Sequence, residues 1–285
     1  MPASSDAQKA SPEVQDGELL VEDCSKTFVA PGREVVKALN GISFRVPKGS
    51  LVAIVGSNGA GKSTLLSLIA GNTLPDRGRI VVSGKDLTTL PSWRRVGLIS
   101  RVQQDPQRNM VSTLTIEENF TLALAGKRGR FGLRRTSSSK VRELAAELLK
   151  PLKMGLEDRL SEVSGSLSGG QRQAVAVAMA SLGDPAVVLL DEHVAALDPH
   201  SAQKVSDVTE QLVRANGITA LMVTHDMTHA LRYADRLLMM HRGRAVLDLE
   251  GEQLKGVTVS DLQAQFAELA GGSLSDTTLL STQEG

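Results

Sequence analysis

A single cysteine, Cys24, stands in 285 residues, so an internal disulfide and any cysteine-built zinc site are excluded, and Cys24 is expected to be a small buried apolar group. Aromatics are almost as scarce, with five Phe, one Tyr and one Trp. A core must therefore be built from Leu, Val, Ile and Ala, and platforms for stacking single-stranded bases are not expected. No charge dominates: Lys plus Arg and Asp plus Glu each number 32, which removes the broad positive field that holds a protein to nucleic acid. Long apolar runs are missing too. The best, 174–180 and 187–190, fall well short of the ~20 residues that span a bilayer. Residues 1–17 lack the charged and then apolar pattern of a secretory signal, so a cytosolic location is expected.

What is present is ordinary globular material, 41% hydrophobic. Residues 1–17 are rich in Ser, Ala, Pro and charge, and 272–285 in Ser, Thr and Gly, so both are expected as loose tails around a folded part at about 18–271. Short β-rich runs lie at 42–46, 51–55, 79–83, 187–191, 219–224 and 236–241. Several are apolar on both faces, as buried parallel strands require, and helical patterns alternate with them, which predicts an α/β fold with a largely parallel central sheet. Between about 106 and 182 no strand is evident. Val141, Leu144, Ala145, Leu148, Leu149 and Leu152 recur there at helical spacing, predicting a helical insert. Thr115 with Glu118, and Ser168 with Gln171, have capping-box spacing and mark two helix starts. Lys127, Arg128, Arg130, Arg134 and Arg135, interspersed with Gly126, Gly129 and Gly132, make a basic cluster that is either a solvated loop or a face toward lipid headgroups or an acidic partner.

Chemistry concentrates in a few motifs. Gly56, Ser57, Asn58, Gly59, Ala60, Gly61, Lys62, Ser63 and Thr64 follow an apolar strand and precede a helical run. In that context glycines let backbone N–H groups curl around a phosphate, the helix aims its positive end at it, Lys62 adds a full charge, and Ser63 is placed to ligate magnesium. The strand 187–190 ends in Asp191 and Glu192. Beside a phosphate loop, Asp191 can hold the metal and Glu192 can polarise the attacking water.

Leu167, Ser168, Gly169, Gly170 and Gln171, ahead of the helical run 172–181, resemble the signature motif of ATP-binding cassette (ABC) ATPases. The resemblance extends over 18–271 and implies a RecA-like core, an antiparallel β-subdomain from the N-terminal part and a helical subdomain at about 106–182. It implies ATP and Mg2+ as ligands. Ser168, Gly169 and Gly170, with Gln171, would meet the γ-phosphate held by a second copy, so two chains would sandwich two ATP molecules. Gln104 matches the Q-loop glutamine that contacts magnesium and the attacking water, with Gln103 as the alternative. Asp198 matches the D-loop aspartate that reaches across the dimer, His225 the switch histidine, and Phe28 the aromatic that stacks on adenine.

Within the family, Asp191–Glu192–His193, Gln104–Asp105–Pro106 and Met239–Met240–His241 resemble one bacterial importer branch, whose ATPase works with a small permease and a lipoprotein-type binding protein, with aromatic amino acids suggested for some members. His193 replaces the commoner proline and is expected as a packing residue. The resemblance implies a peripheral protein on the cytoplasmic face of the inner membrane and no nucleic-acid partner. Since a membrane subunit must touch the part that moves with nucleotide state, the permease is expected in a groove between the core and the helical insert lined by 105–118, with Met110, Val111 and Leu114 as a partly exposed patch. An exporter subunit and a stand-alone ABC ATPase stay open as alternatives.

Overall fold

The structure, a computed structural model, describes residues 14–29, 35–127 and 138–269. Its centre is a six-stranded sheet in which β3 (Leu51–Gly56) lies between β8 (Thr219–Val223) and β9 (Arg236–His241), followed outward by β7 (Val187–Asp191) and the edge strand β6 (Ile99–Val102). These five run parallel, and β10 (Arg244–Glu250) closes the other edge antiparallel to β9. A four-stranded antiparallel sheet, ordered β2 (Val36–Val46), β1 (Leu19–Phe28), β4 (Arg77–Val82) and β5 (Lys85–Asp86), forms a second layer.

Successive side chains in a strand point to opposite faces, and the central strands use both. Leu189, Leu221 and Leu238 pack with Val21, Ile80 and α1 (Lys62–Ala70) in one core. Their neighbours Val188, Leu190, Met222 and Met239 join a second core with the helices. After α2 (Ser92–Arg95) those helices are α3 (Ile116–Lys127), α4 (Ser138–Leu149), α5 (Gly169–Ser181), α6 (Pro199–Asn216), α7 (Met227–Tyr233) and α8 (Val259–Leu269). The buried guanidinium of Arg95 holds the end of α1, donating at 2.8 Å each to Ile69 O and to Leu68 O, which also accepts from the C-cap Gly71 N.

Several expectations shift. β1, β6 and β10 are strands that the β-rich runs did not reveal, and β2 starts at Val36, well ahead of the run at 42–46. β1 carries Glu22, Asp23, Ser25 and Lys26 and three register shifts against β2, so no period of two survives along it. Within 106–182 the described residues hold one isolated bridge, Thr115 with Val163. Both capping boxes form, Thr115 with Glu118 and Ser168 with Gln171. Residues 14–17, expected in a loose tail, are tied down: Gly17 N donates to Ser83 Oγ at 2.9 Å, and Thr219 Oγ1 to Gly17 O at 2.6 Å. The rest of that tail, the tail at 272–285 and the basic residues 128–135 lie outside the described residues. Cys24 is fully buried, and burial pushes its thiol up to about 11.

Candidate functional site

The phosphate loop joins the buried end of β3 to α1 and is pinned by the strands around it. A Cβ on Gly56 would collide with Met240 O, and one on Gly61 with Ala38 O, so only glycine lets the loop lie this close to β9 and β2. Gly61 also takes φ +102° as the N-cap of α1, which has no side-chain cap and no acid in its first turn. That leaves a helix start with its positive end open to an anion. Lys62 is buried, and its Nζ donates to Gly56 O at 2.6 Å and Ser57 O at 3.0 Å. Burial pushes its ammonium below the ordinary value, opposed by the Glu192 and Asp191 carboxylates. Asn58, Gly59 and Ser63 are exposed at the loop surface, Thr64 is half-buried, and Ser57 and Ala60 are buried.

Asp191 and Glu192 sit where β7 leaves the sheet, the end at which open parallel sheets place their ligands. Asp191 pairs with Val223 of β8, and Glu192 N donates to Val223 O at 2.9 Å. Glu192 adopts φ +45°, a conformation that costs a non-glycine residue of order 1 kcal/mol or more. Its Oε2 lies 3.7 Å from His225 Nδ1. The His225 contact holds the Glu192 carboxyl below its ordinary value, and Glu192 raises His225 in return. Lys62, Asp191, Glu192 and His225 thus share one electrostatic neighbourhood.

Residues 39–195 match the family described as ABC transporter. The chain belongs to the ABC transporter ATPases. It is 39% identical over 248 residues to the tyrosine transport ATP-binding protein of Clostridioides difficile (strain R20291), covering 87% of this chain and 98% of that protein. Identity to the methionine import ATP-binding protein MetN of Caulobacter vibrioides is 33% over 261 residues, 89% of this chain and 73% of that one. A dimeric cassette in a post-hydrolysis state with ADP and Pi aligns at a TM-score of 0.70 and 29% identity over 84% of this chain and all of the other, 100%. An ADP-bound cassette of an ABC transporter aligns at 0.72 and 30% identity, over 90% and 98%. Membership makes the chain an ATP hydrolase with the P-loop ABC fold. For Mg2+, Ser63, Gln104 and Asp191 offer a hydroxyl, an amide oxygen and a carboxylate, hard oxygen donors of the kind that magnesium takes beside nucleotide phosphates.

The remaining motif residues fall into separate places. Ser168 caps α5: its Oγ accepts from Gln171 N at 3.2 Å, and Gln171 Oε1 accepts from Ser168 N at 3.0 Å. The Gln171 side chain is therefore turned onto its own helix start. Gly169 packs near Leu197, and a Cβ on Gly170 would come within 2.9 Å of Ser201, which brings the signature beside the exposed Asp198 at the start of α6. Asp198 itself caps α6 through Ser201 N at 3.1 Å. The bonds of Ser168 and Asp198 go to Gln171 and Ser201, in the starts of α5 and α6, and the near neighbour of Gly169 is Leu197. Phe28 ends β1 at 44% exposure, with Lys26 Nζ 5.7 Å from its ring centre. Such a ring has a face free for stacking, and it shares a sheet with β2, which passes the phosphate loop.

Gln104 is exposed just past β6. The residue before it is gripped by side chains that sequence reading missed: Asn109 Oδ1 accepts from Gln103 N at 2.8 Å, Asn109 Nδ2 donates to Gln103 O at 2.9 Å, and fully buried Gln173 also reaches Gln103 O. These bonds hold the Gln103 main chain and leave the choice between the two glutamine side chains to experiment. His193 is buried, its Nε2 3.3 Å from Thr209 Oγ1 and its ring edge-on to His229, and burial pushes it down to about 3, so it packs as a neutral ring. The expected exposed patch is corrected at Met110, which is buried in the helical core, while Val111 is exposed and Leu114 half-buried. A groove of about 300 Å³ runs between β6 and helices α3 and α5 and is lined by Val96, Ile99, Arg101, Leu122 and Met179. Asn109 pulls the chain back against Gln103, which turns Met110 inward.

Proposed function

We propose that this ABC ATPase energises uptake of a small solute, an amino acid above all, through a separate permease. The observation that carries the reading is likeness over nearly the full length to a protein named for tyrosine transport. Methionine import relatives point the same way. Two copies act head to tail, so that the signature at the start of α5 in each meets the phosphate loop of the other. In each composite site, Lys62 and His225 of one copy and Ser168 with the N–H groups of Gly169 and Gly170 of the other hold the γ-phosphate charge. Glu192 accepts the proton of the attacking water as its oxygen bonds to phosphorus and the bond to the ADP oxygen breaks. Ser63, Gln104 and Asp191 would hold Mg2+, which would supply neutralisation of the phosphate charge there. Phe28 stacks on adenine, and Asp198 reaches toward the opposite phosphate loop.

The groove beside β6 is the seat for the permease, since it lies between the catalytic core and the helices that carry the signature. Among the described residues no helix is long and apolar enough to cross a membrane. In this reading the subunit sits peripherally on the cytoplasmic face of the inner membrane, and a substrate-binding protein delivers the solute to the permease. The test is reconstitution with the permease and binding protein encoded beside it, in vesicles supplied with ATP. Labelled tyrosine, tryptophan or methionine should accumulate only with binding protein present. ATP-driven expulsion of solute would overturn the import reading.

A further inference from the structure

Arg101 is the one charged residue of the edge strand β6. Its Nη2 donates to Asp191 Oδ2 at 2.5 Å across to the neighbouring strand β7, with both side chains mostly buried at 21% and 16% exposure. The rest of the guanidinium is poorly served, because its Nε is buried without a hydrogen-bond partner. A buried pair of this kind returns little stability, since desolvating both ions cancels most of the attraction, and apolar side chains would hold two adjacent strands as well. The carboxylate that Arg101 occupies is the one that the phosphate-loop chemistry reserves for magnesium.

We propose that Arg101 is a positioning residue that occupies Asp191 as an internal counter-cation and so weakens the hold of the nucleotide-loaded site on Mg2+. The inference rests on the ATPase reading of the site. Two cations drawn to one carboxylate oppose each other, and the opposition is reciprocal: Mg2+ loosens Arg101 by the factor by which Arg101 loosens Mg2+. The consequence travels a short way. Arg101 lies three residues before Gln104 and lines the groove beside β6, so filling of the metal site is felt at the groove wall through this side chain.

The experiment uses the full chain carrying Glu192→Gln, so that ATP is not consumed, and titrates Mn2+ in the presence of ATP, with free Mn2+ read by electron paramagnetic resonance. A parallel titration of a fluorescent ATP analogue in EDTA reads nucleotide affinity without metal. Arg101→Met should move the Mn2+ midpoint about 5- to 10-fold lower, within the usual range of coupling between sites, and leave the EDTA affinity unchanged. Arg101→Lys, which keeps a point charge, should stay near the parent. With Asp191→Asn already present, Arg101→Met should have no further effect. Should the methionine variant fail to fold, Arg101→Gln carries the same expectation. An unchanged or higher midpoint in Arg101→Met, or a lysine variant that matches the methionine one, overturns the proposal. Absence of any metal-dependent nucleotide binding in the parent would instead overturn the ATPase reading.

Discussion

Two helix starts in this molecule, both assigned to phosphate in the proposed function, are built in opposite ways. At α1 the N-cap is Gly61, no side chain satisfies the first turn, and the Lys62 ammonium is buried against the loop carbonyls. At α5 the first turn is closed by Ser168 and Gln171 bonding each other's backbone, and its one charge, Arg172, is turned back onto Leu167 O at 2.7 Å. The first start is incomplete without an anion, because its positive end and its buried cation have no counter-charge of their own beyond Asp191 and Glu192 nearby. The second is complete as a helix and gains from a phosphate only when one is carried to it. On the proposed reading, the difference accounts for one cassette binding nucleotide alone while hydrolysis calls for a partner's signature.

The largest expected effect comes from Glu192→Gln, which leaves both helix starts intact and removes only the base. Turnover should fall by roughly 10²- to 10⁴-fold with ATP affinity retained, and size-exclusion chromatography with ATP and Mg2+ should then show a lasting dimer. A monomer that hydrolyses at the parent rate would sink the assignment. The same variant has a titration readout. Glu192 raises His225 above its ordinary value, so charge on His225 persists to higher pH in the parent, and imidazole NMR should show it return toward about 6.5 once the carboxylate is gone.

The comparison itself is broken most directly by mixing Lys62→Ala chains with Ser168→Arg chains. Each alone should be reduced by about 10²-fold or more, the cost of losing a main phosphate contact. In the mixed dimer both lesions can share one site and leave the other whole, so part of the activity should return. Full activity of Ser168→Arg by itself would show that the second start never meets phosphate.

The smallest effect sharpens the local half of the comparison. Gln171→Ala removes one arm of the capping box and should cost about 0.5–1 kcal/mol in thermal or denaturant unfolding, with nucleotide affinity unchanged. A loss of ATP affinity in this variant would mean that Gln171 acts on nucleotide rather than on its own helix.

The phosphate loop, the capping box at Ser168 and the strand ending in Asp191 and Glu192 were legible in sequence because each is set by neighbours a few residues apart. Glycines spaced between an apolar run and a helical run, serine three residues before glutamine, and an apolar run that stops at two acids can all be read locally, whereas the close approach of Gly56 to Met240 and of Gly61 to Ala38 is a tertiary matter. The strands β1 and β10 were not legible, since β1 has a polar interior and register shifts and β10 is mostly exposed. The inward turn of Met110 follows from Asn109 gripping Gln103, a contact that hydropathy does not encode.

By itself the sequence determined the chemistry that each segment carries and the order of the segments. Only the tertiary structure decided which segments meet: Arg101 finds Asp191 across ninety positions, and Glu192 faces His225 because β7 and β8 are neighbours in the sheet. It also brought the start of α5 against the start of α6, Gly169 beside Leu197 and Gly170 beside Ser201. Local bonding is fixed by spacing along the chain, whereas encounters between distant residues depend on strand order and on which face of each strand is buried.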